Sequence, residues 1–274
     1  MAKSAHIFHL LLLFAILASC SHIDEDERLV YVPPVDANRA VLIEDFTGQD
    51  CSNCPTAAAE IEKIKEQYGS DKVISVAIHG GQLARYSTAR VVGLRTELGD
   101  EYVNHWGVAN TLPKGYVSRT SEPCNPDKWG ALVRDVISQE PRLQLTATVA
   151  YDESSRQLHA DIQALGLDDV KGNLQLWLTE SGIVTLQSMP DGTRNGSYVH
   201  NHVLRAAVNG AWGTPFEVST GAYARVAFDY ILDDGWNPGN MALVAFVYDN
   251  SGVLQVVEVG VLSQPIESEF QNNQ

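Results

Sequence analysis

The first half of the chain, from residue 39 to about residue 140, mixes continuous apolar runs with segments of helical period. Ala40–Phe46 and Val73–Ile78 are short apolar runs, which are typical of strands buried on both faces. Between them, Thr56–Tyr68 places apolar residues on one face of a helix. A strand, a helix and a second strand predict a βαβ unit with parallel strands and a right-handed crossover.

Three further elements follow in this half of the chain. The pattern predicts a helix over Leu94–Trp106, a turn and a strand over Thr111–Arg119, and a last helix over Asp127–Ser138. Together with the βαβ unit, they predict an α/β domain.

After Pro141 the pattern changes to strict alternation. Leu143, Leu145 and Ala147 begin an apolar face with a period of two. Similar runs recur down the chain, and turn-forming clusters such as "MPDGTRNG" and "DDGWNPGN" separate several of them: Leu158–Leu165, Leu174–Thr179, Tyr198–Val208, Tyr223–Leu232, Ala242–Tyr248 and Val253–Leu262. About seven short strands without a helical segment predict an antiparallel β-sandwich of immunoglobulin type.

The N-terminus has the pattern of an export signal. Lys3 precedes the apolar run Leu10–Ala18, which is too short to span a bilayer. The following Leu17-Ala18-Ser19-Cys20 resembles the lipobox of bacterial lipoproteins, so we expect lipid on Cys20 to anchor the protein in the membrane. The sequence therefore predicts a signal peptide (residues 1–19), an acidic tether (20–38), the α/β domain (39–140), the β-sandwich (141–264) and a polar tail (265–274).

Charge excludes one class of partner. The chain has 19 Lys and Arg against 34 Asp and Glu, a formal net charge of -15. Such a chain repels phosphate backbones, so we expect no nucleic acid partner. The composition predicts neither a cofactor nor an oligomeric state.

The chemistry-bearing motif is Cys51-Ser-Asn-Cys54, between the first strand and the first helix. A cysteine at a helix N-terminus is favoured as a thiolate, so Cys51 could attack a disulfide while Cys54 resolves the intermediate. If Cys20 is lipidated, Cys51, Cys54 and Cys124 remain, which is one pair plus one cysteine. Redox chemistry, a structural disulfide and half of a zinc site are all compatible with the motif. Zinc would need ligands from His79, His105 or Cys124.

The sequence "LIEDFTGQDCSNCP" resembles the signature strand and active-site loop of thioredoxins. Asp45, six positions before Cys51, matches the acid that lies under the cysteines in thioredoxins and takes a proton from the resolving thiol. Pro113, in Leu112-Pro113, matches their cis-proline, which presents backbone to an extended substrate. The resemblance implies an α/β thioredoxin-like domain, followed here by an all-β immunoglobulin-like sandwich, with a Cys51–Cys54 disulfide and a catalytic set of Cys51, Cys54, Asp45 and Pro113.

Together with the lipobox, the motifs "EDFTGQDCSNCP", "LPKGYVSR" and "YVHNHVLRAAVNG" resemble the Bacteroidetes outer-membrane lipoprotein family Omp28. The resemblance implies a lipid-anchored location in the outer membrane, facing the surface or the periplasm. We interpret the chain mainly as a binding protein with residual redox capacity. The alternative is a membrane-tethered thiol-disulfide oxidoreductase acting on exported proteins or peptides, so whether it is an enzyme stays open.

Departures from the redox pattern favour binding. Asp50 stands where thioredoxins have an aromatic residue, and negative charge raises a thiol pKa. The motif has no Arg, Lys or His neighbour in the sequence. The spacing from Cys51 to Pro113 implies an insertion around Gly80–Arg95 that covers the site or presents a binding surface.

Three other residues with side chains that can bind metal, His200, His202 and Cys124, are interpreted as structural. His200 and His202 place two imidazoles on one face of a strand, which is compatible with a metal site, but hydrogen bonding at a strand end is the favoured interpretation, so no metal is predicted. Cys124, in a loop between two prolines, is expected to be a bystander thiol.

Overall fold

The computed structural model describes residues 39–262. The predicted signal peptide, the lipid on Cys20, the acidic tether and the polar tail lie outside the described residues. Within residues 39–262, no helix combines the length and apolarity that crossing a bilayer requires.

Strands dominate the described part of the chain. The helices are α1 (Cys54–Tyr68), α2 (Glu97–His105) and α3 (Trp129–Ile137), and short 3-10 turns lie at Pro126–Lys128 and Pro238–Asn240. The strands are β1 (Val41–Thr47), β2 (Val73–His79), β3 (Lys114–Val117), β4 (Leu143–Asp152), β5 (Gln157–Gly166), β6 (Val170–Glu180), β7 (Ile183–Ser188), β8 (Arg194–His200), β9 (Val203–Ala207), β10 (Thr214–Val218), β11 (Tyr223–Ile231), β12 (Met241–Asp249) and β13 (Gly252–Gly260).

Helix α1 forms where the sequence pattern predicts it. Pro55 occupies its first turn, where a missing N–H costs nothing. Ala57, Ile61 and Ile64 are buried against β1 and β2, and Gly69 ends the helix with a positive φ of 97°. The helix is therefore fixed through its apolar face, and its N-terminus lies at the cysteine pair.

These strands of residues 39–262 form three sheets. The largest has eight strands in the order β13-β12-β6-β9-β2-β1-β3, with β10 paired to β6. Strands β1 and β2 are parallel, whereas β3 runs antiparallel to β1. Strands β11-β5-β4 form a second sheet, and β7 and β8 form a separate two-stranded hairpin.

The predicted fold class, an α/β thioredoxin-like domain followed by an immunoglobulin-like sandwich, is wrong. Over residues 39–262 the structure is mostly β and shows no clear α/β thioredoxin-like domain. Strand β2 continues the sheet into the C-terminal half by parallel pairing of Ala77 with Val203, and Ala77 N donates to His202 O at 2.8 Å. The pattern of apolar residues identifies strands but not their distant partners, so this joining could not be seen in the sequence. The division at residue 140 stays a prediction.

In the described part of the chain, three apolar clusters stabilise the fold. One lies between the three-stranded sheet and strands β6, β10 and β12 of the large sheet. A second packs α1 and α3 on β1, β2 and β3. The third joins both halves of the chain, since Leu42 and Phe46 of β1 share it with Trp177 and Phe246.

A buried ion pair lies beside the third cluster. Arg119 donates to both carboxylate oxygens of Glu44 at 2.8 Å, and the two side chains are 5% and 0% exposed. The guanidinium carbon lies 4.6–5.9 Å from the ring centres of four aromatic residues: Trp106, Trp177, Phe246 and Tyr248. The pair therefore connects the first strand to elements from the other end of the chain.

Gly115→Ala is expected to lower the free energy of unfolding by about 1–3 kcal/mol, because overpacking forces neighbours apart. A Cβ at Gly115 would lie 2.4 Å from the indole ring of the fully buried Trp129. Urea unfolding of the two proteins measures the difference. Gly130→Ala is the control, since its Cβ meets nothing within 4 Å and alanine is the better helix former. Equal losses in both variants would contradict the expectation.

Candidate functional site

A disulfide joins Cys51 and Cys54 at the N-terminus of α1. The cysteines are 4% and 3% exposed. Both sulfurs are therefore largely withheld from solvent, in contrast to the exposed nucleophile that disulfide exchange requires.

The β7–β8 hairpin covers the cysteine loop. Gln187 of β7 is 3% exposed and donates to the carbonyl oxygens of Cys51 at 2.9 Å and Gly48 at 3.3 Å. Ser188 N donates to Gln49 O at 2.8 Å. Sequence reasoning missed Gln187, because its strand lies far along the chain and carries no motif.

The predicted insertion, residues 80–95, packs on the same loop. Asp50 N donates to Leu83 O at 2.8 Å, and Gln49 Nε2 donates to Val92 O at 3.0 Å. Arg85 Nε and Nη2 donate to Asp50 Oδ2 and Oδ1 at 2.7 and 2.6 Å. Sequence neighbours alone did not reveal this cation, because Arg85 lies 35 positions from Asp50, the residue directly before the motif.

Between α1 and β8 lies a pocket of about 240 Å³, which we call the disulfide pocket. Strands β1 and β2 line its base. Its ionisable lining consists of Asp45, Glu62, His79, Tyr198, His200 and His202, together with Cys54 of the disulfide. Its apolar wall consists of Pro55, Ala58, Ala59, Ile61, Ala77 and Val199. The structure thus places His200 and His202, which the sequence does not connect with the cysteine motif, in the same pocket as Asp45 and the disulfide.

Asp45 is the acidic group at the base of this pocket. Its side chain is 4% exposed, so its predicted burial is confirmed. Burial raises the pKa of its carboxyl to about 7. The group can therefore gain and lose a proton near neutral pH, which suits proton transfer or the binding of a cation.

The histidines of the pocket differ in environment. Burial lowers the pKa of His79 to about 3; His200 and Arg205 act in the same direction, and a hydrogen bond with the Ala77 backbone opposes them. Burial also lowers the pKa of His200 to about 4. Both rings are neutral at pH 7, and their centres lie 5.5 Å apart. His202 lies at the edge of the pocket, with its Nε2 2.9 Å from Lys65 Nζ.

The Leu112–Pro113 bond is cis, as the sequence analysis predicted. Pro113 precedes β3, whose Lys114 pairs with Phe46, and it does not line the disulfide pocket. Cys124 is a free, half-buried thiol that pairs with Gly115 through its backbone. His105 packs against Trp106 and Trp212. Among residues 39–262, no three His, Cys, Asp or Glu side chains are placed to hold a metal ion.

Comparison with known proteins gives the family. The model of the family "Outer membrane protein Omp28" matches residues 99–264, more than half of the chain. No curated protein matches the chain.

Two solved structures from Porphyromonas gingivalis are similar to this one. HBP35 has a TM-score of 0.63 at 14% identity over 87% of this chain and 80% of its own, which shows a shared fold. A domain of the outer membrane lipoprotein Omp28 is 25% identical over 44% of this chain and 88% of its own, with a TM-score of 0.32. The match of the family model shows by itself that the chain belongs to the Omp28 family, and the protein is located at the outer membrane.

Proposed function

We propose that this protein is a lipid-anchored binding protein of the outer membrane, held by Cys20, that takes a small polar molecule or a segment of an exported protein into the disulfide pocket. One observation carries the proposal: polar atoms of Asp45, His79 and His200 have no hydrogen-bond partner within the described residues, and all three side chains line this pocket. Buried polar groups without partners are rare, so the pocket is built to receive hydrogen bonds from an occupant.

The position of the disulfide supports binding over catalysis. Gln187 and the loop at residues 80–95 hold the cysteine loop through backbone contacts, and both cysteines are buried. In this arrangement the disulfide ties the N-terminus of α1 to the loop and thereby sets one wall of the pocket.

Blocking the pocket is expected to abolish binding. Ala58 is a half-buried residue of the wall, so Ala58→Trp places an indole where the ligand would lie. Full-length protein purified in detergent would be screened by thermal shift against small polar metabolites and short peptides. Compounds that stabilise the parent protein should not stabilise Ala58→Trp.

The control for this screen is Gln67→Trp, an exposed position of the same helix that does not line the pocket. Its ligand responses should equal those of the parent. Responses that survive Ala58→Trp, or an absence of any response, would refute the proposed pocket.

Thiol-disulfide exchange is the second candidate, favoured by the carboxyl of Asp45, whose pKa of about 7 lies in the same pocket as Cys54. In the dithiol form, the Cys51 thiolate would attack a target disulfide and release one target thiolate. Asp45 would then take the proton of Cys54, whose attack on Cys51 restores the disulfide and releases the second target thiolate. Two electrons pass to the target, so an external dithiol is needed to regenerate the protein.

An insulin-reduction assay with dithiothreitol as the external dithiol separates the two candidates. Because both cysteines are buried, we expect the parent protein to reduce insulin no faster than Cys51→Ser. Turnover that depends on Cys51, and slows in Asp45→Asn, would make exchange the better assignment.

A further inference from the structure

Three atoms define the chemistry of the disulfide pocket: Asp45 Oδ1, His79 Nδ1 and His200 Nε2. None has a partner among the described residues, and their side chains are 4%, 3% and 5% exposed. Native proteins rarely leave such atoms unpaired. The pocket of about 240 Å³ offers room for roughly eight water-sized groups at ~30 Å³ each, so it can hold a small molecule.

All three atoms can accept hydrogen bonds at neutral pH. An ionised carboxylate accepts only, and a neutral imidazole has one accepting nitrogen. Because burial keeps the pKa of His79 near 3 and that of His200 near 4, neither ring is a cation at pH 7. In the tautomers that place the proton on the other ring nitrogen, His79 Nδ1 and His200 Nε2 are hydrogen-bond acceptors without a partner among the described residues.

We propose that the disulfide pocket binds the ammonium group of a primary amine, with the attached carbon chain along the apolar wall; this inference rests on the proposed binding function. An ammonium group has three N–H donors and no acceptor, which matches three unpaired acceptors. Ala58, Ile61 and Val199 provide the surface for the carbon chain. The amine can belong to a free small molecule, a lysine side chain or a peptide N-terminus.

Charge favours a cation over the other ligand classes. Among residues 39–262, those that line the pocket include Asp45 and Glu62 but no Arg or Lys, so an anionic ligand finds no counter-charge in this lining. A metal ion requires a tighter cluster than any that the described residues form. The formal net charge of -15 also raises the local concentration of cations.

The ionisable groups around Asp45 make the expected pH dependence specific. Cys54 of α1 is held in the disulfide, His79 of β2 and His200 of β8 are neutral, and burial raises the pKa of Tyr198 of β8 above its usual range. The charge of Arg205 contributes to the lowered pKa of His79, but Arg205 Nε is paired with Glu180 Oε2 at 3.3 Å. Glu62 of α1 and His202 also line the pocket, and His202, at its edge, has its Nε2 2.9 Å from Lys65 Nζ of α1. Between pH 5.5 and 8, Asp45 is thus the group at the base of the pocket that changes charge.

The test is a ligand-observed NMR titration of the full-length protein in uncharged detergent with n-butylamine, 1-butanol and butyrate. We expect the amine to bind and the other two not to bind. As the pH is raised to 7, amine affinity should increase about tenfold per pH unit, because binding requires ionised Asp45. Above pH 7 the affinity should stay constant. Nα-acetyl-lysine methylamide and a tripeptide with and without N-terminal acetylation distinguish the sources of the amine.

Variants assign the binding to these side chains. Asp45→Asn should weaken amine binding about tenfold or more, and His200→Phe by a smaller factor, because charge-assisted hydrogen bonds are the stronger ones. His159→Phe, on the exposed face of β5, is the matched control and should bind as the parent does. Circular dichroism shows whether each variant is folded.

The outcomes separate this inference from the proposed function. If butanol or butyrate binds, Ala58→Trp blocks that binding and the amine does not bind, the amine assignment is wrong but the proposed binding pocket is supported. If the amine binds Asp45→Asn as it binds the parent, the assignment is also wrong. If no probe binds in a manner that Ala58→Trp blocks and the ligand screen is also negative, the pocket holds only water and both proposals fail.

Discussion

Replacing Arg119 with methionine is expected to lower the free energy of unfolding by about 3–5 kcal/mol, because it leaves the Glu44 carboxylate buried without its counter-charge. Glu44 is 0% exposed and receives two hydrogen bonds of 2.8 Å from Arg119. The substitution also removes the cation from among four aromatic rings. Urea unfolding of the parent and Arg119→Met measures the loss.

Two further variants show whether the lost charge is the cause. Arg134→Met, with an arginine side chain that is 66% exposed, should change stability by less than about 0.5 kcal/mol. The double variant Glu44→Leu/Arg119→Met removes both charges and should recover much of the loss. If the double variant loses as much stability as Glu44→Leu and Arg119→Met lose when measured singly and added, packing, and not the unpaired carboxylate, is responsible.

Asp45→Asn is expected to stabilise the protein at pH 8 by about 4 kcal/mol, since one pKa unit corresponds to about 1.36 kcal/mol. Burial raises the pKa of Asp45 from 3.8 to about 7. A raised carboxyl pKa contributes stability that is present below the unfolded value of 3.8 and is lost as the pH rises through the folded value. Asparagine never ionises, so the variant escapes this loss.

The measurement is the difference in unfolding free energy between Asp45→Asn and the parent, from pH 4 to pH 8.5. The difference should be small near pH 4, grow up to about pH 7 and then remain constant. Taking the difference cancels the contribution of His79 and His200, which lowers stability below pH 6.5 in both proteins. Asp135→Asn, with a carboxylate that is 62% exposed, should give a flat difference. A flat difference for Asp45→Asn as well would contradict its perturbed pKa.

The two predictions concern neighbouring carboxylates of one strand, of which one has a buried counter-charge and the other has none within residues 39–262. Glu44 and Asp45 are both buried carboxylates on β1. Glu44 faces Arg119, and its charge is compensated, whereas Asp45 faces the disulfide pocket, where Oδ1 has no partner among the described residues. Because successive side chains of a strand point to opposite faces, one position contributes to stability and the next to the candidate site.

The sequence alone determined the local elements. Apolar runs predicted β1 and β2. The helix predicted over Thr56–Tyr68 is observed as α1, Cys54–Tyr68. The cis Leu112–Pro113 bond and the burial of Asp45 also followed from residues close to one another in the chain. The family was recognised from the same short motifs, and the match over residues 99–264 confirmed it.

The tertiary structure decided how distant elements meet. The strand predicted over Tyr198–Val208 is divided into β8 and β9 at residues 201 and 202, where His202 has a positive φ of 54°. This break lets β9 pair with β2, so that one sheet spans both halves, and lets β8 carry His200 to the disulfide pocket. Hydrophobic period reports which face of a strand is buried but not which strand lies beside it, because that choice depends on packing across more than a hundred residues of chain.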